Sequence, residues 1–289
     1  MSDLDRLLAR AESLLERLEG VLPGDPSPAA WDAIAYRWRR RLGRSRLEPV
    51  RHPHRLLPED LLGIERQHAL LDANTRQFVA GRSANNALLW GSRGTGKSSL
   101  IKALLNAHAP AGLRLVEVDK HDLFDLPDIL DLLDGRPERF VLYCDDLSFE
   151  AEDPSYKALK ALLDGSVSVP PDNVLLYATS NRRHLMPEFF SENLEAKVVD
   201  DEIHPGETVE EKISLSDRFG LWVSFHPFGQ AQYLAIVRHW LERFGCTPDP
   251  WAEVEAAALR WALARGSRSG RTAQQFARDW AGRRALDAG

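Results

Sequence analysis

Ala87-Leu88-Leu89-Trp90-Gly91-Ser92-Arg93-Gly94-Thr95-Gly96-Lys97-Ser98-Ser99-Leu100 is the stretch that decides how this chain is read. Four apolar residues run into a loop of the pattern G-x-x-x-x-G-K-[ST], and a helical pattern follows. The loop glycines let the backbone curl so that successive N–H groups point at one anion. The helix that opens at the end of the loop adds the positive end of its dipole. Lys97 can reach the outer phosphates of a nucleotide, and the Ser98 hydroxyl can bind magnesium. With glycine at about 7% of residues, the pattern arises by chance in roughly one chain in a hundred of this length. The strand before it and the helix after it make chance rarer still.

Forty-eight residues after Lys97, the run Phe140-Val141-Leu142-Tyr143-Cys144 ends in Asp145-Asp146. An acid at the end of a buried strand, near a phosphate loop, sits where magnesium must be held. Asp145 fits that role, and Asp146 can orient or deprotonate an attacking water. The plainer alternative is an exposed Asp-Asp pair that caps the next helix. Aspartate at 146 is one methylene shorter than the glutamate common in such sites, which favours slow turnover.

Outward from these landmarks, apolar strands alternate with helical patterns. Strands are expected at 87–90, 113–118, 140–144 and 174–178, and helices at 64–80, 98–107 and 156–163. Such alternation indicates a parallel sheet with helices on both faces. Helices at 230–244, 251–264 and 272–286 form a small unit at the end. Residues 193–215 are acidic and contain Pro205-Gly206, so they read as an insertion or long loop. At the start, leucines recur at helical spacing from Leu4 to Leu18. Three prolines then mark a linker, and a short helix is expected around Trp31–Trp38. These patterns divide the chain into an N-terminal helical extension with a basic linker (1–57), a nucleotide-binding α/β domain (58–228) and a C-terminal helical lid (229–289).

The chain has 289 residues and a formal net charge of −6, which gives no global pull toward nucleic acid. Its two cysteines, Cys144 and Cys246, form no disulfide framework, which suits a reducing compartment. No apolar run reaches the length of a membrane span, and the first residues do not read as a signal peptide, so the cytoplasm is the expected location. The histidines His121, His184, His204 and His226 lack zinc-ligand spacing.

The order of these elements resembles the AAA+ ATPases. The resemblance implies a three-layer P-loop fold with a helical lid, and ATP with magnesium as ligands. Val174 to Asn181 is similar to the strand that carries the polar sensor 1 residue, which makes Asn181 a contact to the attacking water or the γ-phosphate. Ser214-Leu215-Ser216-Asp217-Arg218-Phe219-Gly220 resembles the segment that bears the arginine finger, so Arg218 would reach the nucleotide of a neighbouring subunit. Gly266 to Thr272 resembles sensor 2 of the lid, with Arg271 facing the nucleotide and Arg268 as a competitor. Leu62-Gly63-Ile64 stands where these proteins build the adenine pocket. The strings Asn85-Asn86-Ala87-Leu88-Leu89-Trp90, Cys144 to Phe149, Ala178 to Leu185, Ile203 to Glu207 and Ser216 to Gly220 are similar to a bacterial AAA+ family of unknown function, over roughly residues 57–280.

The expected activity is ATP hydrolysis in a homo-oligomeric ring, by analogy a hexamer, coupled to remodelling or loading a macromolecule. Alternatives are a slow nucleotide-dependent switch or nucleic-acid-associated loader and, less favoured, a small-molecule kinase. Arg37–Arg55 holds eight arginines and one acid, Glu48. It can attract nucleic acid, with Trp31, Tyr36 and Trp38 stacking on bases. A solvated linker, or docking onto an acidic neighbour, is the preferred reading. Phe124, in the loop after the second strand, stands where the resemblance implies a substrate-gripping residue in some rings, but burial is the preferred reading, as it is for Trp222, Phe225 and Phe228.

Overall fold

The computed structural model describes residues 31–41, 44–149, 154–164, 170–183, 185, 197–199, 202–204, 215–247 and 250–287. Its strands are β1 (Ala35–Arg41), β2 (Arg44–Pro49), β3 (Ala87–Gly91), β4 (Leu113–Glu117), β5 (Arg139–Cys144), β6 (Val174–Ser180), β7 (Lys197–Val199), β8 (Glu202–His204) and β9 (Leu221–Phe225). Its helices are α1 (Glu65–Val79), α2 (Lys97–His108), α3 (Leu126–Leu133), α4 (Pro154–Asp164), α5 (Gln230–Arg243), α6 (Trp251–Ala264) and α7 (Gly270–Asp287).

Seven strands form one sheet in the order β2-β1-β4-β5-β6-β3-β9. All neighbours are parallel except β1 and β2. Successive strand side chains point to opposite faces, and both faces are apolar here. Ala87, Leu89, Val141, Tyr143, Leu175 and Tyr177 join one core with α1, α2 and the lid. Leu88, Phe140, Leu142, Leu176 and Ala178 join a second core with α3 and α4. This continuous apolar character on both faces is what a central parallel sheet demands, and the architecture is an α/β three-layer sandwich.

The polar residues before β3 lock the layers together. Asn74 and Asn85 exchange hydrogen bonds, and Asn74 Nδ2 also donates to the Tyr177 hydroxyl at 3.0 Å. Asn86 Oδ1 accepts from the Leu176 N–H at 2.8 Å. Adjacent asparagines thus tie α1 and β6 to the start of β3.

The N-terminal region departs from expectation. The segment expected to be a short helix at 31–38 is β-strand from Ala35, and the supposed basic linker supplies β2. The pattern has period two: Tyr36 and Trp38 face the second core at 0% and 4% exposure, while Arg37 and Arg39 point the other way. Trp38 Nε1 and Ser45 Oγ both donate to Asp125 Oδ2, at 2.9 and 2.6 Å. The hairpin therefore extends the main sheet, pairing Ala35 with Leu115 and Arg37 with Glu117. Ala35 also shares a core with Leu71 and Phe78 of α1, across the division expected at 57/58. The helix expected over 1–20 and the prolines after it lie outside the described residues.

Three further elements were not anticipated: β9, α3 and the 3-10 turn Lys120–Asp125. Phe124, in that turn, is 48% exposed rather than buried, because Leu123 and Leu126 take the inward positions at 0% and 1%. Within the expected insertion, β7 and β8 form a short antiparallel pair. The three lid helices form as expected, and Tyr233 on α5 donates its hydroxyl to the Ala258 carbonyl of α6 at 3.1 Å. Among the described residues no helix is long and apolar enough to cross a membrane.

Candidate functional site

The loop after β3 is fixed by its neighbours before any ligand arrives. Gly91 has φ 131°, and a Cβ there would lie 1.9 Å from the Phe225 carbonyl oxygen, so β9 leaves room for glycine alone. Thr95 Oγ1 donates to the Ser92 carbonyl at 2.7 Å. Gly96 precedes α2, and no side chain caps that helix. The first N–H groups of α2 therefore face the cleft without a side-chain acceptor, which is the arrangement that binds anions.

Lys97 is 7% exposed. Its Nζ donates to the carbonyls of Gly91 and Ser92 at 2.7 and 2.8 Å and to Asn181 Oδ1 at 3.1 Å. Burial lowers its pKa below the ordinary 10.5, against the opposing pull of Asp146 and Asp145. An arriving phosphate would supply the compensating charge.

The two acids differ in setting. Asp145 Oδ1 accepts from Ser98 Oγ at 2.7 Å and from Thr179 Oγ1 at 2.6 Å. Burial alone would raise its pKa, but its contacts with Thr179, Tyr143 and Ser98 outweigh that and hold it below 3.8. The buried Tyr143 hydroxyl lies beside this group, short of good hydrogen-bond geometry. Asp146 is the one non-glycine with positive φ among the described residues, at 52°. Its N–H donates to Thr179 Oγ1 at 2.9 Å. Its carboxylate accepts from Asn181 Nδ2 and lies 3.7 Å from Arg93.

Together these residues border a cleft of about 470 Å³ at the carboxyl ends of the strands, within the range of small-ligand sites. Arg93 to Ser99 form its floor, with Gly91 and Ser92 beneath. Leu62 and Ile64 line one side, while Gly63 between them is held by its N–H to Glu65 Oε1 at 2.8 Å. Phe228, Ile236 and Trp240 complete an apolar wall. The lid closes the cleft from above: Arg271 and Gln274 line it, and the Arg271 N–H reaches the Gly94 carbonyl at 3.4 Å. Arg268 is exposed and does not line the cleft.

Arg218 is elsewhere. It is ion-paired with Asp164 at the end of α4. It borders a second cleft, of about 530 Å³, with Asn85, Arg82 and Arg139 at the amino ends of the strands. The length of the strands separates it from Lys97 of the same chain.

Thr179, Tyr143, Phe228 and Trp240 were not singled out for the site from the sequence. The legible signal for Thr179 is the Thr179-Ser180 pair that ends a largely apolar strand just before Asn181. Among the described residues, no group of three or more His, Cys, Asp or Glu could hold a metal by itself. The oxygen pair of Ser98 and Asp145 does suit a hard cation that brings its other ligands from phosphate and water.

Fold and site together are an α/β sheet with a glycine-rich loop between a strand and a helix, faced by the Ser98–Asp145 pair. The chain belongs to the family described as protein of unknown function (DUF815), whose model matches residues 31–284. No curated protein matches the chain in sequence. Among solved structures it is similar to the RuvB Holliday junction branch migration motor of Thermotoga maritima, at 14% identity over 78% of this chain and 71% of that one, with a TM-score of 0.44. It is similar to a DNA replication initiation factor at 16% identity, over 76% and 62%, with a TM-score of 0.46. It is also similar to the ORC1 protein of Aeropyrum pernix in complex with DNA at 18% identity, over 73% and 57%, with a TM-score of 0.49.

Proposed function

We propose that this chain binds ATP with magnesium in the cleft above Gly91–Ser98 and hydrolyses it. The observation that carries the reading is the meeting of Ser98, Thr179 and Asp145 beside the buried Lys97, with the uncapped start of α2 facing the same space. Lys97 leaves its loop carbonyls for the outer phosphates. Ser98 and Asp145 hold magnesium, which when bound neutralises charge on the β- and γ-phosphates. Leu62 and Ile64, opposite Phe228, take the base. Asp146 accepts the proton of a water that attacks the γ-phosphorus in line, ADP departs, and Asn181 orients that water. Arg271 reads the phosphates from the lid.

Arg218 acts in trans in this reading, because it lies at the far end of the strands from its own chain's loop. The active form is then a homo-oligomer, ring-shaped by analogy, that works in the cytoplasm and couples turnover to remodelling or loading a macromolecule. A slow switch is the second reading. It is favoured by the Asp146 carboxylate already engaged by Asn181 and Arg93. A small-molecule kinase has less support, since the cleft's apolar wall is accounted for by the nucleotide base.

ATP turnover per chain tests both points when measured across protein concentration. We expect the rate to rise with concentration, Lys97→Ala to abolish it, and Arg218→Ala to lower it by about 10³-fold or more. Mixing the two variants should restore part of the activity. No turnover at any concentration would sink hydrolysis. Turnover by a strictly monomeric ATP-bound form would sink the trans role.

A further inference from the structure

The β1–β2 hairpin carries a feature that ATP chemistry does not use. In a chain of net charge −6, residues 37–55 hold eight arginines and one glutamate. The structure sorts them by face. Tyr36, Trp38 and Leu47 are buried on one face, and Arg40 lies on that side near Asp122 and Asp125. The opposite face carries Arg37, Arg39 and Arg46. Arg37 is paired with Glu117 and Arg46 with Glu48, yet their side chains remain 43% and 51% exposed. Arg39 is exposed, and Asp122 feels its charge together with that of Arg40.

The register sets Arg39 directly opposite Arg46, and Arg41 opposite Arg44. Like charges in directly opposed positions destabilise an antiparallel pair. The Arg39–Arg46 pair gains when an external polyanion adds negative charge to this face. The chain then continues along α2, where Asn106 Nδ2 donates to the carbonyls of His54 and Leu56 at 2.7 and 2.8 Å. Arg51 and Arg55 are exposed on that segment. Basic groups thus run from the sheet face onto the adjacent strap.

We propose that this face binds the phosphodiester backbone of a nucleic-acid duplex, independently of base sequence. Guanidinium groups suit phosphate oxygens through paired hydrogen bonds. The residues that could have stacked on unpaired bases are committed elsewhere: Tyr36 and Trp38 are buried in the sheet's other face, and Trp31 packs edge-on against Phe140. Single-strand binding relies on such aromatic platforms. An arginine face without them is left with backbone charge, which a duplex presents most densely. The proposal goes beyond ATP hydrolysis and does not depend on it.

The test is fluorescence anisotropy of the full chain with a labelled random-sequence duplex DNA and with the matching single strand, without nucleotide. We expect duplex binding with a log-affinity slope in log salt of about −3 to −4, as for three to four phosphates contacted. Arg39→Glu with Arg46→Glu should weaken it tenfold or more, and Arg39→Lys with Arg46→Lys should stay within about threefold of the parent, because the charge is kept. Arg51→Glu with Arg55→Glu, outside the ladder, provides a second reversal should the first not fold. ATP turnover should be unchanged in the reversals. The proposal is overturned if the parent does not bind duplex at low salt, or if both reversals bind as the parent does. Tighter binding of the single strand would also overturn it. So would reversals that dissociate an oligomer yet leave duplex affinity intact, which would assign the face to an acidic neighbouring copy.

Discussion

Thr179 and Asp145 are joined across strands β6 and β5 by a 2.6 Å hydrogen bond, with the threonine hydroxyl donating. The same hydroxyl oxygen accepts from the Asp146 N–H at 2.9 Å. One buried side chain therefore fixes both acids of the site.

Thr179→Val keeps the shape and removes the hydroxyl. It leaves the Asp146 N–H without this acceptor and Asp145 with Ser98 as its remaining geometric donor. Unmet buried polar groups cost about 1–3 kcal/mol. Stability should fall by about that amount, and ATP–magnesium should bind about tenfold more weakly by titration calorimetry. Normal affinity and stability would show that Thr179 does not position the acids.

Asp146→Asn should bind ATP as the parent does and hydrolyse it at least about 10²-fold more slowly, since removing a general base costs on that order. Asparagine is the informative change because it tolerates the left-handed backbone that Asp146 adopts at φ 52°. Single-turnover assays check this, and an unchanged rate would remove Asp146 from the mechanism.

Gly94→Ala probes the contact between loop and lid. A Cβ at Gly94 would lie 2.7 Å from Ser269 Oγ and 2.9 Å from Ser269 Cβ, on a backbone with φ +76°. The lid start must move, so nucleotide affinity should fall tenfold or more. Adding Ser269→Gly removes both close contacts and should recover part of that loss. No recovery would place the defect in the strained backbone of residue 94.

The acid end of the stability curve tests the setting of Asp145. Its pKa in the folded chain is below 3.8, so the folded state favours its ionised form. That contribution is fully present above the unfolded value and is lost as pH falls through the folded one. Asp145→Asn should therefore destabilise the chain at pH 6 and do so progressively less as pH drops below about 3.8. Urea unfolding at several pH values gives the comparison. A pH-independent difference would mean that the ionised carboxylate is not what the fold uses.

Arg39→Glu places opposite charges face to face with Arg46 in β2. Relief of the like-charge pair should stabilise the chain by about 0.2–1 kcal/mol, with a higher thermal midpoint at low salt and little change in about 1 M salt, where surface charges are screened. A lower midpoint would show that Arg39 already has a stabilising partner.

The sequence itself made the nucleotide half of the molecule legible. Spacing fixed the loop Gly91–Ser98, because a backbone cradle for phosphate needs glycines and a lysine at set offsets. It also fixed β5 ending at Asp145-Asp146, β6 leading to Asn181 and the three lid helices. These are local patterns, and each is enforced by short-range backbone physics. The aromatic–arginine alternation of Tyr36-Arg37-Trp38-Arg39 was equally local, but its charge suggested a linker. It forms a strand because Asp125 and the second core, distant in sequence, reward burying Tyr36 and Trp38. Tertiary structure alone decided that Thr179 meets Asp145, that Phe228 and Trp240 wall the cleft, and that Arg218 sits at the opposite strand ends from its own Lys97. Those relations depend on strand order, and strand order is set by which apolar faces can be buried together rather than by any spacing along the chain.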